Sequence, residues 1–308
     1  MSIGKNLQVA DYIEDHVALA IQSMISAMSF PFRRFSIELF SKSHERNSGA
    51  DARLHGAIRN IRPFHMQFKR PSAYPAKSRS HIITDRIKLG AGCSPHAFFF
   101  DLRKKKDTHH DFQHNVLYGI RKDLLAADAG DAAYVCPLYL DLATYQSAAH
   151  RSGSHLWPAL WRRHPWRLKD TTISSSSGQV KFERIPFLAD HITIPPHTLV
   201  TTANHRYSFT PLGDEICFHE PTRLPEGPQT LGKFLNGIGN RFLRDGGRLT
   251  PENSMSLLNQ LERTVYGDGE ILERLEDQPI ARWMDFGFRL QRDFRIAQYA
   301  FVEWNQDF

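Results

Sequence analysis

Between residues 48 and 70 the chain reads SGADARLHGAIRNIRPFHMQFKR, and its apolar positions alternate in two short runs. Residues 50–54 and 64–70 each follow a period of two, which predicts two strands, and the polar stretch between them (His55, Gly56, Arg59, Asn60) predicts the turn of a hairpin. Side chains on a strand change face at every residue, so Phe64, Met66 and Phe68 share one face and His65, Gln67 and Lys69 the other. In the first arm Asp51 and Arg53 point away from Ala50, Ala52 and Leu54. If the two polar faces coincide, a carboxylate, an amide oxygen and an ammonium converge. Such a set suits a divalent metal beside a phosphodiester.

Helical periodicity surrounds this segment. Val9, Ile13, Val17, Ala20, Ile21, Met24 and Met28 form one stripe over residues 8–28, with Glu14 at its edge and Asp15 on the far side. Residues 31–40 read as a strand, 71–108 as irregular with one strand at 97–102, and 111–127 as a helix capped by Asp111. In that helix Gln113 projects into the apolar stripe, where it needs a partner or reaches a metal or phosphate, while His114 lies off the stripe and faces nucleic acid. A buried strand at 132–140 and a helix from 142 follow. After residue 152 the pattern changes to aromatic and proline-punctuated sequence. Strands are predicted at 179–185, 198–209 and 215–219, then helices at 230–243, 251–266 and 277–304. The expectation is an N-terminal core over residues 1–150, with accessory strands and C-terminal helices over 151–308 packed on it.

The spacing of Asp51 from Gln67-Phe68-Lys69 resembles the bipartite signature of the restriction-endonuclease-like, PD-(D/E)XK, nucleases, over roughly the first 140 residues. The resemblance implies an α/β fold with an αβββαβ core and a mixed sheet. It also implies Mg²⁺ or Mn²⁺ held by Asp51, the Gln67 side chain and the Phe68 carbonyl, with Lys69 acting on the attacking water. Glu14 matches the acidic residue such nucleases often carry on the first helix; Glu45 is a second candidate. Gln in place of Glu removes one charge from the metal site. By the same resemblance the substrate is DNA, the setting bacterial restriction, repair or antiviral defence, and the partners a second copy or a defence protein.

Composition adds a polyanion partner. The chain carries 39 Lys and Arg against 33 Asp and Glu, a net charge of +6. The cations crowd the region beside the predicted hairpin, from Arg59 and Arg62 through Lys88 to the run 103–106. Arg53, Arg70, Lys77, Arg79, Lys104, Lys105 and His114 are the expected nucleic-acid contacts. The three cysteines lie far apart, which argues against a disulfide framework and fits a reducing cytoplasm. Residues 16–28 are too short to span a bilayer. Two alternatives remain. One is a non-catalytic binding module built on the cations and Trp157, Trp161 and Trp166. The other is a histidine metal enzyme using His109, His110 and His114.

Overall fold

The computed structural model describes residues 6–29, 35–40, 57–161, 182–220, 222–224, 229–244, 247–267 and 278–305, with side chains placed in these ranges except at 27–29 and 153–161. It is an α/β protein of two six-stranded sheets. The central sheet orders β11 (Gln229–Thr230), β7 (His191–Ile194), β6 (Asp131–Pro137), β3 (Ile58–Phe68), β12 (Ala297–Trp304) and β2 (Phe35–Leu39). The outer sheet orders β1 (Gln8–Val9), β4 (Ser72–Pro75), β5 (His96–Asp101), β8 (Arg206–Phe209), β9 (Cys217–Phe218) and β10 (Thr222–Arg223). Of all these pairings only β3 with β6 is parallel. A parallel neighbour requires a crossover, and here it runs through β4, β5 and two helices, α2 (His81–Lys88) and α3 (Gln113–Ala126).

Both faces of the central sheet are covered, so its strands are buried on both sides. On one face Phe64, Met66, Phe68, Ala133, Val135 and Phe301 pack against α1 (Glu14–Ser29) and α6 (Leu231–Leu243). On the other, Ala132, Tyr134, Cys136 and Ala300 meet α3, the outer sheet's Phe98, Phe100 and Tyr207, and Trp283 and Phe286 of α8 (Pro279–Phe294). Helix α8 lies so close to the sheet that a Cβ on Gly287 would stand 2.4 Å from the Phe40 carbonyl oxygen and 3.1 Å from Gln298 Cβ.

Several expectations change. Residues 58–68 form one continuous strand, so the turn expected around Arg59 and Asn60 does not exist; the proposed first arm, 50–54, lies outside the described residues. Asn60, one of the polar residues that suggested a turn, and Arg62, two residues further along the same strand, are tied to distant partners. Asn60 Nδ2 donates to Glu303 Oε2 at 2.6 Å, and Arg62 donates to the Gly247 carbonyl at 2.8 Å and to Asp128 at 3.2 Å. The antiparallel neighbour of β3 is β12, from the far end of the chain, and not a local arm. The long C-terminal helix stops at Phe294, where Arg295 adopts a left-handed φ of 55°, and residues 297–304 are a strand. The stretch 71–108 holds two strands and α2, and residues 182–184 form a 3₁₀ turn where a strand was expected. The boundary expected near residue 150 does not divide the sheets: each takes strands from both halves of the chain.

Candidate active site

The site gathers at the C-terminal end of β3. There the strand runs on by one residue, Lys69 N–H donating to the Val135 carbonyl at 2.9 Å. Alternation does put His65, Gln67 and Lys69 on one face, but that face is interior. Their exposures are 0%, 0% and 2%. His65 Nε2 bonds Gln298 Oε1 at 3.2 Å, its partner across the β3–β12 pairing, while its Nδ1 is left without a partner. Gln67 is different: neither its Oε1 nor its Nε2 meets a partner, although the side chain is fully buried. An unbonded amide in an apolar interior costs on the order of 1–3 kcal/mol per unmet group, so this position is poised to accept a ligand.

Lys69 places its ammonium 5.5 Å from the Tyr134 ring centre and 5.9 Å from that of Phe100. Burial pulls its pKa from 10.5 down to about 8; the Glu14 carboxylate opposes that fall and the Arg103 guanidinium adds to it. Cys136, on the same face of β6, is a buried thiol whose pKa is pushed up by desolvation and then by Glu14. It is held neutral.

Glu14 opens α1, where a carboxylate is favoured by the helix dipole. Its position beside Lys69 is fixed by the preceding residues. Ala10 N–H donates to the Pro71 carbonyl just after Lys69, and Asp11 N–H donates to the Leu140 carbonyl. Tyr12 donates to the Tyr139 carbonyl at 2.6 Å and stacks on Tyr145 at 5.2 Å. Glu14 is ion-paired with Arg103, the second residue beyond β5. Asp15 faces elsewhere, toward Arg295 at 3.6 Å.

The remaining predicted residues divide into three groups. Asp51, Arg53 and Glu45, like Trp166 and the side chains of Trp157 and Trp161, lie outside what is described. Gln113 and His114 are interior: the Gln113 amide donates to the Phe294 carbonyl, and His114 bonds Tyr134 Oη at 2.9 Å and the Thr198 carbonyl at 2.7 Å. Both are corrections. Their polar atoms join α3 to its neighbours, and His114, at 1% exposure, presents nothing to a nucleic acid. Arg70, Lys77, Arg79, Lys104 and Lys105 are exposed, as expected, and Lys105 Nζ also donates to the His110 carbonyl at 3.0 Å. The basic surface is nevertheless smaller than the sequence suggests, because Arg62 and Arg86 are buried at 1% and 0%. Arg86 is spent on Ser208 and the Gly92 carbonyl.

Among the described residues no three His, Cys, Asp or Glu side chains converge to hold a metal. Two oxygen donors still stand near Lys69: the unpartnered Gln67 Oε1 and the Glu14 carboxylate. Oxygen donors of this kind fit Mg²⁺, which binds through few protein oxygens and keeps several waters. Scans against family models, curated proteins and solved structures gave no match to this chain. Sequence reasoning missed Arg103. It heads the basic run 103–106, and only the fold separates it from its solvent-facing neighbours.

Proposed function

We propose that the chain is a metal-dependent nuclease acting on DNA, with its centre at Gln67, Lys69 and Glu14 and completed by Asp51. One observation carries this reading: a fully buried, unpartnered amide two residues from a buried lysine, with a helix-borne carboxylate close to that lysine. The parallel β3–β6 pair, α1 on the sheet and the Gln-x-Lys strand ending at the site support a restriction-endonuclease-like core. In that core β12 takes the place beside β3 that the signature gives to a local strand.

Gln67 Oε1, the Phe68 carbonyl, Glu14 and Asp51 are the groups that would hold Mg²⁺ or Mn²⁺. The ion, when bound, neutralises phosphate charge and activates water. The chain's own part is proton and charge handling. With a pKa near 8, Lys69 is neutral in roughly a tenth of molecules at pH 7 and half at pH 8, so it can accept a proton from water there. Its protonated form would stabilise negative charge developing on a phosphate brought to the site. The exposed Arg70, Lys77, Arg79, Lys104 and Lys105 supply sequence-independent contacts to the backbone of the duplex.

Asp51→Asn and Lys69→Met should each lower Mg²⁺-dependent cleavage of a DNA duplex by at least about a hundredfold, leaving duplex affinity within a factor of about three. Cleavage by Lys69→Met at the rate of the unaltered chain would refute the assignment. Duplex binding without any cleavage by the unaltered chain, in Mg²⁺ or Mn²⁺, would point to the binding module.

A further inference from the structure

At the start of β6, ahead of the point where Lys69 meets it, the central sheet is incomplete. Lys69 N–H donates to the Val135 carbonyl, so odd-numbered residues of β6 turn their peptide groups toward β3 and even-numbered ones toward β7. Strand β7 follows β6 only as far as Ile194, which stands opposite Tyr134. Continuing that register would bring Pro196 opposite Ala132, and proline has no N–H to give. The Ala132 N–H is bonded instead to Asp131 Oδ1 at 2.8 Å, and its carbonyl receives no strand N–H.

A cavity of about 300 Å³ lies there, a volume suited to one small organic ligand. Backbone and small side chains of β6 and β7 bound it, together with Phe234 of α6, Gln229 of β11 and the ion pair of Arg121 with Asp131. That pair is held by a single bond, from Arg121 Nε to Asp131 Oδ1 at 3.0 Å. Neither Nη of Arg121, nor Asp131 Oδ2, meets a partner among the described residues. Arginine and carboxylate often close as a fork of two bonds. Here Oδ1 also serves Ala132 and the fork stays open, with the two side chains 22% and 27% exposed.

These groups define a ligand. The charges of Arg121 and Asp131 cancel, which favours a neutral molecule over a free anion or cation. Guanidinium donors stand with two acceptors, Asp131 Oδ2 and the Ala132 carbonyl, so the ligand must offer an acceptor beside donors. Phe234 and the alanines give apolar surface to a ring. Among the nucleobases, guanine offers one acceptor followed by two donors along a single edge. We propose that this cavity binds a guanine base, Arg121 donating to O6 while Asp131 Oδ2 and the Ala132 carbonyl receive N1–H and the N2 amino group. The site is independent of the nuclease reading and of the groups around Lys69.

The test is isothermal titration calorimetry of the full chain with guanosine, which carries no phosphate for the exposed lysines to hold. Guanosine should bind at least about tenfold tighter than inosine, which lacks the N2 amino group, and than adenosine, whose edge is changed. Asp131→Asn keeps Oδ1 for Ala132 and puts a donor in place of the second acceptor. It should weaken guanosine at least about tenfold and bind xanthosine, with a carbonyl in place of the amino group, more tightly than guanosine. Absence of guanosine binding by the unaltered chain, or equal binding of all three nucleosides, overturns the site; these measurements need no variant to fold. An Asp131→Asn chain that is folded by circular dichroism and binds guanosine undiminished overturns it as well. A single-stranded oligonucleotide containing guanine, set against one without it, then identifies the source. Displacement of guanosine by the first alone assigns the cavity to a base within a strand, and displacement by neither assigns it to a free nucleoside or nucleotide.

Discussion

At Lys69 burial and charge oppose one another. An ammonium at 2% exposure between two aromatic rings loses its water, and the resulting fall in pKa to about 8 corresponds to roughly 3 kcal/mol set against the charged form. Methionine has nearly the same length and no charge, and Glu14 keeps Arg103 as its partner when the lysine is removed. Lys69→Met should therefore stabilise the fold at pH 7 by on the order of 1–3 kcal/mol, a rise in Tm of roughly 2–6 °C, while cleavage is lost. A fall in Tm would mean that the lysine is a structural tether. Gln67→Glu sits in the same environment. A carboxylate there would pair with Lys69 and add a charge for the cation, so Mg²⁺ should be needed at lower concentration, visible as a shift of the Mg²⁺ dependence of cleavage.

Among the elements, those whose signals are local are legible in the sequence. Strand β5, α3, β6 and α6 follow from periodicity to within a few residues, with Thr230 capping α6 through a 3.3 Å bond from Lys233 N–H, whereas α1 starts at Glu14, six residues later than its stripe suggests, because Gln8 and Val9 pair as β1. The candidate chemistry is legible in part. The pairing of Gln67 with Lys69 on one face needs only the period of two, and Glu14 is placed by the helical stripe. Strand β12 is not legible. Residues 297–304 are apolar in an order compatible with either period, and no Gly or Pro marks the break after Phe294. The burial of the Gln67 face was equally hidden, because what covers it comes from residues far along the chain, such as Gln298 and Phe286. These long-range contacts have a consequence. Strand β12 lies between β2 and β3, and its Glu303 is fully buried on Asn60 and Arg248. A fragment ending at residue 150 lacks β7 and β12 and exposes both edges of the β3–β6 pair. It should give no cooperative urea transition by circular dichroism, and neither should a chain ending at residue 294. A cooperative transition in the 1–150 fragment would show a self-sufficient N-terminal domain.

For the whole molecule, three histidines set the response to acid. His65 bonds Gln298, His114 bonds Tyr134 and Thr198, and His191 bonds the Phe187 carbonyl at 2.6 Å and Tyr145 Oη at 3.1 Å. Burial lowers the pKa of each to about 4, against 6.5 in an unfolded chain. The sign follows from proton counting. Between pH 6.5 and 4 the unfolded chain carries these protons and the folded chain does not, so stability is fully present above 6.5 and is lost as pH falls. Each histidine contributes a slope of up to about 1.4 kcal/mol per pH unit, and the three together about 4 kcal/mol per unit across the steepest part. They lie on opposite faces of the central sheet, His65 and His114 on one and His191 beside Tyr145 and Phe187 on the other, so acid loosens both cores at once. The urea midpoint should change little between pH 8 and 7, fall clearly by pH 6 and fall steeply toward pH 5, where a loss of about 6 kcal/mol takes up much of the roughly 5–15 kcal/mol that a folded domain holds in reserve. His191→Phe should lower the slope below pH 6 by about a third, whatever it does to stability at pH 7. A midpoint that stays level from pH 7 to 5 would mean that these imidazoles reach water in the folded protein.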